Sequence, residues 1–405
     1  MDLTLATLIS LETLALNGTE VTLRADQLGA FTAINGTFGM DRVILSASGV
    51  ADLTGATFTL IDEIRGSGGA DKIVLTDVNT GLFIDGRGGN DTVQGTLQAD
   101  LIKGSAGNDV LTGDEGNDTL IGGQGVDNIQ GGLGNDVIRM GGVGDITGLA
   151  ETINGGADAD TLDFTSLGAT GRVNLAGATI VGVETLLLSN NQVIATAAVL
   201  GGFQSIFGSF GFERIDLSAA GVVDLSSANI SNIDEFRGTA GADTFLFAGG
   251  QGNSLVNTFA GADSVQGGDG NETLLGGDGN DTLGGGAGAD VLTGQGGTDS
   301  LTGGAGADVF AFGDRSEMGL GAARDVITDF VHGQDIIRLT GVDADLNTVG
   351  DQLFNYIAGA AFDGHAGQLR YSGGVLSGDV DGDTAADFAI VLTGTPVLAA
   401  TDLQL

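Results

Sequence analysis

The sequence predicts an all-β chain wound as a parallel β-solenoid, on three observations. They are a glycine-rich nine-residue repeat, one large apolar residue at a fixed place in each repeat, and a duplication of the whole pattern. Glycine supplies 75 of the 405 residues, beside one Pro, no Cys and no Trp. That much glycine signals either disorder or a backbone that needs left-handed turns. Disorder requires unpatterned apolar residues, whereas here 41% of the chain is hydrophobic and most of that is periodic.

The repeat is clearest from Gly86, where the chain reads GRGGNDTVQ, GTLQADLIK, GSAGNDVLT, GDEGNDTLI, GGQGVDNIQ, GGLGNDVIR. After an interruption GGADADTLD follows at Gly155. A second array opens with GTAGADTFL at Gly238, passes a looser GGQGNSLVN, and continues to GGAGADVFA. The common form is G-G-x-G-x-D-x-U-x, with U a large apolar residue. Its first six residues make a turn in which glycine permits positive φ, and its last three a short strand with one inward side chain.

Two such units close one coil, so turns on the same side lie 18 residues apart. Oxygens from two neighbouring turns would then face one another, as a hard cation such as Ca²⁺ requires. The spacing pairs Asp91 with Asp109, Asp100 with Asp118, Asp109 with Asp127 and Asp118 with Asp136. In the second array it pairs Asp263 with Asp281, Glu272 with Asp290, Asp281 with Asp299 and Asp290 with Asp308. Asp160 and Asp243 hold the same place in their units and join the candidate metal ligands.

The duplication is longer in scale. Residues 2–71 align without a gap on residues 174–243, at roughly half identity. LETLAL meets VETLLL, and LGAFTAINGTFGMDR meets LGGFQSIFGSFGFER. Each array is thus preceded by a leader, whose L-x-x-A-x-[IF]-x-x-[IV]-[DE]-x-[LIF] rhythm predicts further solenoid coils. Within the leaders Glu12, Glu63, Glu184 and Glu235 are expected as solvated turn residues rather than ligands or assembly contacts. Arg65 and Arg237 are expected to pair with nearby carboxylates. Phe31, Phe38, Phe203 and Phe210 sit at positions that favour core packing.

These nonapeptides resemble the RTX (hemolysin-type calcium-binding repeat) family. The resemblance implies a Ca²⁺-dependent parallel β-roll and export by a type I (ABC transporter) secretion machine. After Ala311 the pattern changes to DVITDFVHGQDIIRLTGVDAD and AFDGHAGQLRYSGGVLSGDVDGDTAADFAIVLTG. This stretch is similar to the C-terminal domain of serralysin-type secreted metalloproteases. Within it Asp379, Asp381, Asp383 and Asp387 alternate along a tight loop, as either a further Ca²⁺ site or a polar turn.

The organisation expected is therefore a leader (1–65), a β-roll (66–163), a second leader (164–237), a second β-roll (238–311) and a C-terminal β-rich capping and secretion domain (312–405).

Charge and composition exclude several partners. With 53 Asp and Glu against 14 Lys and Arg, the net charge of -39 disfavours nucleic acid and anionic membranes. No apolar run is long enough to span a bilayer, and no basic leader opens the chain, so either a cytosolic protein or export by a route that does not read the N-terminus is expected. There is no H-E-x-x-H and no G-x-S-x-G, and the two histidines, His332 and His365, read as surface or packing residues. A carboxylate glycosidase or polysaccharide lyase would hide among so many acids, yet two Tyr and two Lys are few for a groove that grips anionic sugars.

The expectation is a secreted, non-enzymatic calcium-binding scaffold that self-associates as a surface-layer, matrix or filament subunit, stacking through open solenoid ends. A calcium-dependent adhesin or carbohydrate-binding protein is the alternative.

Overall fold

A computed structural model of the chain describes residues 1–6, 11–75, 80–140, 151–167, 171–247 and 252–405. Part of the interruption before Gly155, and the start of the looser unit at Gly249, lie outside these. The described residues form two compact units, one of residues 1–194 with 205–212 and one of 195–204 with 213–405. The division falls inside the second leader. Both units are parallel β-solenoids.

In the first unit successive strands alternate between two parallel sheets. Thr92–Gln94 and Val110–Glu115 pair in one; Leu101–Ala106 and Thr119–Gln124 pair in the other. The alternation follows from the sequence, because each nonapeptide provides one strand and each turn carries the chain across to the opposite sheet. The register aligns the U positions. Val93, Leu111, Ile129 and Ile153 stack in one sheet, and Ile84, Ile102, Leu120, Ile138 and Leu162 in the other. All are at most 1% exposed, so one apolar side chain per nonapeptide is enough to build a continuous core.

The second unit repeats the scheme with Val265, Leu283, Leu301 and Ile327 in one sheet, and Val256, Leu274, Leu292, Phe310 and Ile337 in the other. Its C-terminal part departs from it. Asp325–Ile327 pairs in parallel with Phe388–Leu392, which pairs antiparallel with Val375–Asp379, itself antiparallel to Gln368–Ser372. The outermost strands, Asn355–Tyr356 and Leu403–Gln404, are two residues each. Such short edges are poor templates for another chain.

The duplication is visible in the elements. Glu20–Leu23, Ala25–Leu28 and Arg42–Leu45 of the first leader recur at Gln192–Ala195, Ala197–Leu200 and Arg214–Leu217. Even the left-handed residue Leu60 (φ 54°) has its counterpart in Asn232 (φ 56°). The leader rhythm buries Leu53, Ala56, Ile61 and Ile64, as expected of solenoid coils.

Two expectations for the leaders fail. Phe31 and Phe203 are buried, but Phe38 and Phe210 are 96% and 105% exposed at turn tips, beside exposed Met40 and Phe212. The sequence G-T-F-G-M-D (36–41) is itself a degenerate repeat turn, whose third and fifth residues face outward. Glu63 and Glu235 are buried rather than solvated. Glu63 is held by Arg42 and Arg65, and Glu235 by Arg237 at 2.7 Å. Arg65 and Arg237 thus pair as the sequence suggests. Glu12 is exposed, and Glu184 is half-buried.

Candidate metal centres

Each repeat carboxylate lies at the end of its turn, one residue before the strand, and is buried. The eight pairs read from the spacing are all neighbours. The backbone N–H of one donates to Oδ1 of the residue 18 further on: Asp91 to Asp109 (2.7 Å), Asp100 to Asp118, Asp109 to Asp127 and Asp118 to Asp136 (each 2.8 Å). In the second unit Asp263 donates to Asp281 (2.8 Å), Glu272 to Asp290 (2.7 Å), Asp281 to Asp299 (2.9 Å) and Asp290 to Asp308 (3.0 Å). Asp160 and Asp243 extend the ladders, Asp160 by accepting from Asp136 and Asp243 by donating to Asp263.

The ladders run beyond the residues that the repeat nominates. Asp71 donates to Asp91, Glu151 accepts from Asp127, Glu184 from Asp160, Asp325 from Asp299 and Asp335 from Asp308. Asp71 closes the turn G-S-G-G-A-D just ahead of the array. Asp325 and Asp335 precede Val326-Ile327 and Ile336-Ile337, so an acid one residue before an x-U strand was the signal available for them.

One oxygen of most rungs is left over. Oδ2 of Asp91, Asp109, Asp118, Asp136, Asp160, Asp263, Asp281, Asp290, Asp299 and Asp308 is buried without a hydrogen-bond donor, as is that of Asp325. Orphaned carboxylate oxygens at this depth are costly unless a cation or a proton meets them. Burial pushes the carboxyls of Asp91 and Asp118 up to about 7, and those of Asp109, Asp136, Asp281 and Asp308 up to about 6, against the lowering effect of their ladder hydrogen bonds.

The glycine that opens most of these turns shapes the space around that oxygen. A Cβ at Gly113 would lie 2.1 Å from Asp118 Oδ2 and 2.6 Å from the carbonyl oxygen of Gly131, one coil on. At Gly285 the same construction meets Asp290 Oδ2 at 2.3 Å and the Gly303 carbonyl at 2.6 Å. A carboxylate and a carbonyl from neighbouring coils therefore converge where only glycine fits, an all-oxygen donor set that suits a hard divalent cation.

The RTX calcium-binding nonapeptide repeat (4 copies) matches residues 85–120, 112–146, 147–164, 237–274, 248–283 and 275–310. The two arrays are RTX calcium-binding repeats. They bind Ca²⁺, and the ladders of buried carboxylates accord with it. A comparison with curated proteins finds no match to the chain.

The C-terminal acids behave differently. Asp379, Asp381 and Asp387 bring carboxylate oxygens within 4.8 Å of one another, whereas Asp383 stays outside that group. Both oxygens of Asp379 already accept backbone N–H groups, from Gly382 (2.7 Å) and Thr384 (3.0 Å). Of the two histidines, His332 is held by buried Asp402 at 2.7 Å, and His365 lies exposed against Asp363.

Proposed function

We propose that the chain is a secreted structural protein whose RTX arrays fold as Ca²⁺ fills the carboxylate ladders outside the cell. The observation that carries this is the row of buried Oδ2 atoms with no donor, several of them, such as those of Asp91, Asp118, Asp281 and Asp290, beside a carbonyl of the next coil. Asp91, Asp109, Asp118, Asp127, Asp136 and Asp160 are the ligands in the first array. Asp263, Glu272, Asp281, Asp290, Asp299 and Asp308 are those of the second.

Because each site is shared between coils, binding and coil formation are one event. Sites with dissociation constants on the order of 10⁻⁴–10⁻³ M stay empty at cytosolic Ca²⁺ and fill outside. The net charge of -39 opposes compaction until the ions arrive, which keeps the chain extended for an ABC transporter. The serralysin-like C-terminal segment supplies the export signal, and Asp379, Asp381 and Asp387 a further place for an ion.

Once folded, the protein works as a scaffold that self-associates. The exposed apolar tips at Phe38, Met40, Phe210 and Phe212 support contact through turns rather than strand edges. The same tips favour a second reading, a calcium-dependent adhesin that presents aromatic residues to a glycan. Circular dichroism with light scattering during a Ca²⁺ titration separates the two. Cooperative β-structure with growing particles supports the scaffold, and β-structure in a monomer that retains glycan supports the adhesin. A fully folded chain in chelator would sink both.

A further inference from the structure

Most of the described repeat turns fall into two kinds, and the difference between them lies at their second residue. In most turns that residue and the fourth have positive φ. The turn ending at Asp118 has Asp114 at 86° and Gly116 at 127°, and the turn ending at Asp281 has Gly277 at 103° and Gly279 at 150°. The Oδ2 atoms of Asp118 and Asp281 have no donor, and both residues are 1% exposed.

Among the described residues three turns adopt another form. The turn ending at Glu272 also lacks positive φ at Gly268 and Gly270, but its Gly268 N–H reaches Oε2 only at 3.3 Å and Oε1 stays bare. In the three, which end at Asp71, Asp100 and Asp243, the second residue is Ser67, Thr96 or Thr239, and neither it nor the fourth has positive φ. The N–H of that second residue instead donates to Oδ2 at 2.6 Å in all three. Its hydroxyl reaches the same carboxylate at 2.9, 3.1 and 2.9 Å. The same hydroxyl oxygen accepts the N–H of the fourth residue at 3.2, 3.1 and 3.1 Å.

The chemistry follows from the side chains. A β-branched Thr resists the left-handed conformation that an open turn needs, and its hydroxyl stabilises the alternative. In the closed form a backbone N–H dipole aims its positive end at the oxygen that an open turn leaves free. A cation there would meet a hydrogen-bond donor instead of a lone pair. Ser105 shows that a hydroxyl alone is not enough. Its Oγ is drawn to Asp85 at 3.0 Å, its φ is 78°, and Asp109 keeps a free Oδ2.

We infer that closed turns hold no ion of their own, and that Asp100 and Asp243 are not Ca²⁺ ligands, although they occupy the consensus place. This rests on the proposal that open-turn carboxylates ligate Ca²⁺. The closed turns have a common position. Asp71, Asp100 and Asp243 each begin a ladder, taking their Oδ1 hydrogen bond from Gly49, Leu82 and Gly221 rather than from another acid. Each of these ladders thus starts on a turn complete without metal, a template on which the first ion-filled coil is laid.

The test is ion stoichiometry by native mass spectrometry of the full chain in saturating Ca²⁺, with circular dichroism to confirm folding. D100N and D243N should keep the wild-type count, whereas D118N and D281N should each lose at least one ion. The double variant T96G/Q98G, which turns G-T-L-Q-A-D into an open-type sequence, should gain one. Should D100N or D243N fail to fold, T96G/Q98G decides: no gain overturns the sorting. Equal losses in D100N and D118N overturn it too. Unchanged counts in folded D118N and D281N would instead remove the ligand assignment beneath it.

Discussion

The leaders and the arrays build the same turn and finish it differently. Asp41, at the end of the leader turn 36–41, is fully buried, and both its oxygens are satisfied by N–H groups, of Thr19 at 3.0 Å and Thr37 at 2.6 Å. Asp109, equally buried in its array turn, has one oxygen satisfied and one bare. Glu63 likewise rests between two arginines, while Glu272 keeps an unpaired Oε1. Asp41 and Glu63 are complete within the protein, whereas most array carboxylates outside the closed turns keep an oxygen that it does not satisfy. On the function proposed above, calcium dependence would be a property of particular coils rather than of the solenoid as such.

The sharpest way to break that contrast is to withdraw the metal. In chelator at pH 8, hydrogen exchange should be fast through Thr92–Arg139 and Thr273–Ala311, with the leader strands Arg42–Leu45 and Glu63–Arg65 better protected. Uniform loss or uniform retention of protection would erase the distinction. Next in size is the core. Leu111→Ala removes a fully buried side chain and should cost about 2–5 kcal/mol. Because folding of that coil and ion binding are linked, the Ca²⁺ midpoint should also rise. Ile64→Ala should cost a similar amount and leave the midpoint unchanged, as read in parallel titrations.

Protons offer a gentler probe, and the two regions respond with opposite sign. Burial raises Asp91 and Asp118 to about 7, well above their ordinary 3.8. A raised folded-state value gives stability that is full below the ordinary value and is lost as pH rises through about 6–7. Metal-free arrays should thus gain β-structure as pH falls from 8 to 5, and the Ca²⁺ needed at pH 5.5 should exceed that at pH 8. The Thr37 N–H holds Asp41 below its ordinary value, so its contribution is present above that value and lost in acid. Far-UV circular dichroism in chelator across this range checks the first effect; a flat signal would contradict it.

Much of this was legible because a nine-residue period fixes strand, turn and core residue together. The 18-residue pairing, the stacked Leu and Ile columns and the duplicated leaders all follow from spacing. What escaped depended on local backbone geometry. Thr96 and Arg87 occupy the same place in consecutive repeats, yet one closes its turn on Asp100 and the other takes φ 76° and leaves Asp91 bare. The four aspartates near residue 380 alternate evenly in sequence, but the loop gathers only three of them. Glu63 read as solvated because its partner Arg42 lies one coil earlier, a contact set by register rather than by proximity in sequence.

The smallest effect concerns the turn tips, where periodicity misled most plainly. Phe38 and Phe210 align with each other and fall in step with buried Phe31 and Phe203, so a count of positions sends all four inward. The turn 36–41 reverses that, since its third residue projects from the tip while its Asp points in. A side chain that touches little when folded contributes little to stability. Phe38→Ser with Phe210→Ser should therefore leave both the unfolding midpoint and the Ca²⁺ midpoint within about 0.5 kcal/mol of the parent. What should change is association: if the tips join molecules, the growth in light scattering at millimolar Ca²⁺ falls or disappears. Undiminished growth would move the contact elsewhere, and retained monomers with lost glycan retention would turn the tips into a binding surface.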